Sequence, residues 1–130
     1  MEIERILKTC HTIAMVGASP NPDRTSNSVF NYLIKHGYRV IPVNPAVTEV
    51  SGEKCYVSLS AIPEKIDVVD VFRRSEDCLP IVEEAIKIGA KTVWMQEGVI
   101  NGEAEARALA AGLEVVMDRC IMKEHKRLAG

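Results

Sequence analysis

A doubly wound α/β fold is what this chain of 130 residues predicts, on three observations. Short apolar runs, largely of β-branched residues, recur at five places along it. Helical patterns separate them, and glycines stand at the passages from helix to strand. Apolar strands alternating with helices imply parallel pairing through right-handed crossovers, with helices on both faces of the sheet.

A leading helix is expected over residues 2–8. The first strand, residues 12–17, reads T-I-A-M-V-G, and the second, residues 38–43, reads Y-R-V-I-P-V. Between them a helix over residues 28–36 places Val29, Leu33 and His36 on one face, at helical spacing. The third strand, 67–72, is D-V-V-D-V-F; the fourth, 92–95, is T-V-W-M; the fifth, 114–117, is E-V-V-M. Helices over 80–88 and 103–111 fall between them, and a last one over 123–128 ends the series. Gly37, Gly89 and Gly112 each follow a helix, where glycine adopts the left-handed conformation that ends it. Pro80 suits a first helical turn, and Asn101 before Gly102 and Glu103 reads as an N-cap.

One domain over 1–130, holding a five-stranded sheet in the order 3-2-1-4-5, follows from this alternation. That order sets a switch point between the first and fourth strands, with a ligand crevice at their C-terminal ends. The connection 45–63 is long, yet Val50, Cys55, Tyr56, Val57 and Leu59 give it side chains to pack.

The composition is globular, with 47% hydrophobic and 26% charged residues, which excludes a disordered or collagen-like chain. Lys plus Arg number 16 and Asp plus Glu 18, so the net charge is 16 − 18 = −2, without the basic excess of a nucleic-acid binder. No apolar run approaches the roughly 18 residues of a membrane span. The start, M-E-I-E-R, lacks the basic and apolar pattern of a signal peptide, so a cytoplasmic location is expected. Cys10, Cys55, Cys78 and Cys120 form no C-x-x-C, and His11, His36 and His125 are scattered, so free thiols and no metal site are expected.

Chemistry concentrates where the topology places a crevice. Residues 17–28, G-A-S-P-N-P-D-R-T-S-N-S, follow the first strand at the position that binds phosphate in such folds. Gly17, Ala18 and Ser19 are small enough for close approach, Ser28 stands at the expected helix start, and Arg24 can grip phosphate with paired donors. The dinucleotide fingerprint G-x-G-x-x-G is absent, and Asn44-Pro45 stands where an acid would receive a ribose. Asn44-Pro45 is equally a turn signal. Phe72 and Arg73 end the third strand, and Gln96 and Val99 follow the fourth; Phe72 and Trp94 have a core role as their alternative. Cys120 follows the fifth strand, but no partner base at a recognisable spacing makes it catalytic.

Five blocks taken together resemble a known family across nearly the whole chain. They are V-G-A-S-P-N-P-D-R from Val16, G-Y-R-V-I-P-V-N-P from Gly37, D-V-V-D-V-F-R from Asp67, V-W-M-Q-E-G-V from Val93 and M-D-R-C from Met117. They resemble the small bacterial and archaeal CoA-binding proteins, similar to the CoA-binding domain of succinyl-CoA synthetase alpha subunits. The resemblance implies a Rossmann-like domain that binds coenzyme A. It would set Gly17, Ala18, Ser19, Arg24 and Ser28 around the phosphates, Asn44 and Pro45 on the adenosine side, Phe72 and Arg73 at the ligand's flank, and Gln96 and Val99 near the pantetheine.

Such a chain would be a stand-alone CoA or acyl-CoA binding module that senses, carries or regulates, with no catalytic residue. The alternatives are an NAD(P)-dependent oxidoreductase, a CoA-linked thiol enzyme using Cys120, or a regulatory subunit with a vestigial site. On these 130 residues, the second domain of a synthetase alpha subunit is not expected.

Overall fold

A computed structural model describes residues 2–129. Helix α1 (Glu2–Thr9) leads into β1 (Thr12–Val16), α2 (Thr25–Lys35) and β2 (Arg39–Val43). A small antiparallel hairpin, β3 (Glu49–Val50) and β4 (Glu53–Lys54), and a 3-10 turn at Leu59–Ala61 fill the long connection. The chain then alternates through β5 (Val68–Val71), α3 (Cys78–Lys87), β6 (Thr92–Met95), α4 (Gly102–Ala110), β7 (Glu114–Val116) and α5 (Ile121–Ala129).

The main sheet is five-stranded and parallel, as expected, but its order is β2-β1-β5-β6-β7. Counted by its five strands alone this is 2-1-3-4-5, which corrects the expected 3-2-1-4-5. The physical reason lies beside β2. Tyr56 forms a parallel bridge with Val43, its N–H donating to Pro42 O at 3.0 Å and its carbonyl accepting from Asn44 N at 2.9 Å. The hairpin segment thus takes the place that the next strand would have filled. That strand returns to the other side of β1, where Asp67 N reaches Thr12 O at 2.9 Å. Pro42 marks the same fact: a proline lacks the donor of an interior strand, and its open side faces outward toward Tyr56. The switch point therefore falls between β1 and β5.

Side chains alternate across the sheet and build two cores. Ala14, Val16, Ile41, Val69, Val71, Val93 and Met95 pack with Val82 and Ala85 of α3 and Ala104 and Ala108 of α4. On the other face Ile13, Met15, Val40, Val68 and Trp94 pack with Ile6 and Leu7 of α1, Val29, Phe30 and Leu33 of α2, and Ile121 of α5. In the long connection Val50, Cys55 and Leu59 are buried and Tyr56 half-buried, while Val57 is exposed.

The helices start and stop near their expected places. Asn101 caps α4, its Oδ1 accepting from Ala104 N at 2.9 Å. Helix α2 begins three residues ahead of Ser28 and α5 two ahead of Lys123, because loop carbonyls, Arg24 O and Cys120 O, already accept the first helical N–H groups. All four cysteines are free, and no metal-holding cluster of His, Cys, Asp or Glu occurs among the described residues. No described helix is long and apolar enough to cross a membrane.

Candidate functional site

Gly17 ends β1 with φ of +90°, and a Cβ placed there would lie 2.2 Å from the carbonyl oxygen of Phe72. Only glycine permits this approach, which brings the ends of β1 and β5 together at the switch point. Around it opens a cavity of about 430 Å³, lined by Gly17, Ser19, Asp23, Arg24, Thr25, Ser26, Asn44 and Phe72.

The loop over this cavity is held by its own short polar residues. Ser19 Oγ accepts from Asn21 N at 3.1 Å, Asn21 Oδ1 from Asp23 N at 2.9 Å, and Asn27 Nδ2 donates to Ser19 O at 3.0 Å. Asn44 Nδ2 donates to Ala18 O at 2.9 Å, and its Oδ1 accepts from Ala46 N at 2.9 Å. Asn44 therefore lines the cavity and serves the turn at once. The loop delivers the chain into α2, whose N-cap is Arg24 with no side-chain cap and no acid in the first turn. The open amides and positive dipole end of α2 thus face the cavity, with Arg24, whose guanidinium forms no ion pair among the described residues.

A second cavity of about 480 Å³ lies beside the first, with Thr25 and Phe72 in the walls of both. Gln96, Glu97, Val99, Cys120, Met122 and Lys123 complete it. Its shape comes from the ends of β6 and β7. Gln96 Oε1 accepts from Ile121 N at 3.2 Å, fixing the start of α5, and Asp118 Oδ1 accepts from Gly98 N at 2.8 Å. Glu97 and Lys123 pair at 2.8 Å on the rim, which holds the lysine's pKa above its ordinary value.

Of the residues singled out in the sequence, Gly17, Ser19, Arg24, Asn44 and Phe72 line the first cavity, and Phe72, Gln96 and Val99 the second. Ala18 lines neither: it is buried in the core and contributes its carbonyl to Asn44. Ser28 is exposed beyond the first turn of α2, because that helix starts earlier than its apolar pattern indicates. Pro45 is exposed and off both cavities. Arg73 pairs with Asp77 at 3.4 Å and lines a separate cavity of about 320 Å³ with Val16 and Ile81. Trp94 is core, fully buried, with its Nε1 donating to Arg119 O at 2.8 Å. Sequence reasoning passed over Thr25 and Met122, and both lie in first helical turns that apolar periodicity does not reveal. It also missed Asn27, the loop's anchor.

A parallel sheet with helices on both faces and a crevice at its switch point, under a loop leading to an open helix N-terminus, defines a Rossmann-like α/β domain. The particular family follows from comparison: residues 11–126 match the model of the CoA binding domain, and the chain belongs to that family. It is 43% identical over 124 residues to the uncharacterized protein YneT of Bacillus subtilis, covering 95% of this chain and 92% of that one. A solved hypothetical protein from Pyrococcus horikoshii is 51% identical, with a TM-score of 0.97 over 99% of this chain and 91% of the other. The alpha subunit of ADP-forming acetate–CoA ligase II from Pyrococcus furiosus is 40% identical over 129 residues; the match covers 89% of this chain and 28% of the subunit, so the chain spans about a quarter of that relative.

Proposed function

We propose that this chain binds coenzyme A or an acyl-CoA in the two adjacent cavities and acts as a non-catalytic carrier, sensor or regulatory module. The observation that carries this reading is the pair of neighbouring cavities with unlike linings. The first has Arg24 and the open end of α2, suited to phosphates; the second has Gln96, Val99 and Met122, suited to an amide-bearing arm. Coenzyme A has such a charged head and flexible tail. Gly17, Ser19 and Arg24 would meet the phosphates, Asn44 the adenosine side and Gln96 and Val99 the pantetheine. Phe72 would lie between.

Neither cavity is lined by a histidine, so Cys120 has no imidazole base beside it there. The reading therefore assigns binding to the chain, and no acid–base catalysis or ligation.

Titration calorimetry of the purified protein with CoA, and with NADP as control, tests it. Micromolar binding, about −8 kcal/mol, is expected for CoA. Arg24→Ala should weaken it by roughly ten- to a hundred-fold, the loss of charge-assisted bonds of about 1.5–3 kcal/mol, without lowering the melting temperature. Heat with NADP and none with CoA would overturn the reading in favour of an oxidoreductase.

A further inference from the structure

We propose that Cys120 is a site of reversible thiol–disulfide exchange with CoA disulfide, which leaves the pantetheine sulfur bonded to Cys120 Sγ, an inference that rests on the CoA reading above. Cys120 is 5% exposed, and it lines the second cavity immediately before α5. Beside it stands an independent sign of a ligand. Gln96 is 3% exposed and lines the same cavity. Its Oε1 accepts from Ile121 N, and because a backbone N–H must donate, this bond fixes which end of the amide is oxygen. The remaining Nε2 donates to no protein acceptor among the described residues. That nitrogen faces the cavity rather than a sealed core, so it is free to donate to an acceptor entering from outside, such as an arm amide carbonyl.

A carbonyl held by Gln96 would bring the end of the arm, its sulfur, to the neighbouring thiol. The other cysteines have no such setting. Cys10, Cys55 and Cys78 line neither cavity.

CoA disulfide is itself the oxidant, so the exchange balances. The Cys120 thiolate attacks one sulfur of CoA disulfide seated in the cleft. A bond forms between Cys120 Sγ and that sulfur as the original S–S bond breaks. The departing CoA thiolate takes up the proton that Cys120 lost, and one disulfide is exchanged for another.

Intact-protein mass spectrometry after incubation with CoA disulfide reads the outcome. One CoA thiyl unit should replace one hydrogen, peptide mapping should place it on Cys120, and dithiothreitol should remove it. Glutathione disulfide, which has no nucleotide to hold it in the cleft, should react at least about ten-fold more slowly, because binding raises the local concentration of the reacting sulfur. Cys120→Ser should lose the adduct. An adduct mapped to another cysteine, an unchanged adduct on Cys120→Ser, or equal rates with the two disulfides would overturn the proposal. Reduced CoA that binds while no adduct forms would overturn this inference and leave the binding function standing; no binding of CoA at all would remove both.

Discussion

Replacing Asp70 with asparagine removes one ionisation and almost no volume, and it isolates the least expected residue of the fold. Asp70 lies on β5 opposite Met15 on one side and Trp94 on the other, fully buried. Neither carboxyl oxygen has a hydrogen-bond partner. Burial alone pushes its pKa well above the ordinary carboxylate range, so the folded protein keeps the proton that the unfolded chain releases near pH ~3.9. A pKa raised by folding contributes its full stability below the unfolded value and loses it as pH rises toward the folded one. Over that window the two states differ by one bound proton, and stability falls by about 1.4 kcal/mol per pH unit.

Asparagine has no such proton, so the variant should gain on the native protein as pH rises from about 4 toward about 6, at about 1.4 kcal/mol per unit for as long as Asp70 stays protonated in the fold. Urea unfolding of both proteins at several pH values in this range gives the difference directly, with the other titrations common to both. A difference that stays flat with pH would mean that Asp70 ionises inside the fold, and would refute the argument.

Two further perturbations test the architecture around the cleft. Gly17→Ala forces a Cβ against Phe72 O at a residue with φ of +90°, and the left-handed backbone alone costs about 1–2 kcal/mol. Since the strand ends must also part, a loss of more than about 2 kcal/mol is expected in chemical denaturation, and a neutral effect would contradict the close contact. Asn101→Ala removes the cap of α4 and the bond from Asn101 Nδ2 to Ser75 O at 2.8 Å. A loss of about 1–2 kcal/mol should appear as a lower denaturation midpoint, and an unchanged midpoint would show that the cap contributes nothing.

The strands were legible because each is a short apolar run bounded by turn or helix residues. Their order was not read correctly, although Pro42 announced an edge strand and Ser51-Gly52, both at positive φ, announced the hairpin that covers it. Helix starts escaped because the first turns of α2 and α5 are held by loop carbonyls rather than marked by apolar periodicity. The crevice was found because topology places it at strand ends. Which side chains line it depended on details no pattern carries, such as Asn44 spending its amide on Ala18 O and Arg73 leaning toward Asp77. Asp70 looked like one more member of a strand run, and only the alternation of faces reveals that it points into an apolar layer.

The loop between β1 and α2 is tied down by Ser19, Asn21, Asn27 and Asn44 and pinned at Gly17 against Phe72. Its shape is therefore set when the chain folds. A ligand arriving at such a loop has little backbone freedom to freeze, so more of its contact energy appears as affinity and less is spent on ordering. On the proposed coenzyme A reading, the head group would dock on a preformed loop and the flexible arm would settle afterward into the adjoining chamber.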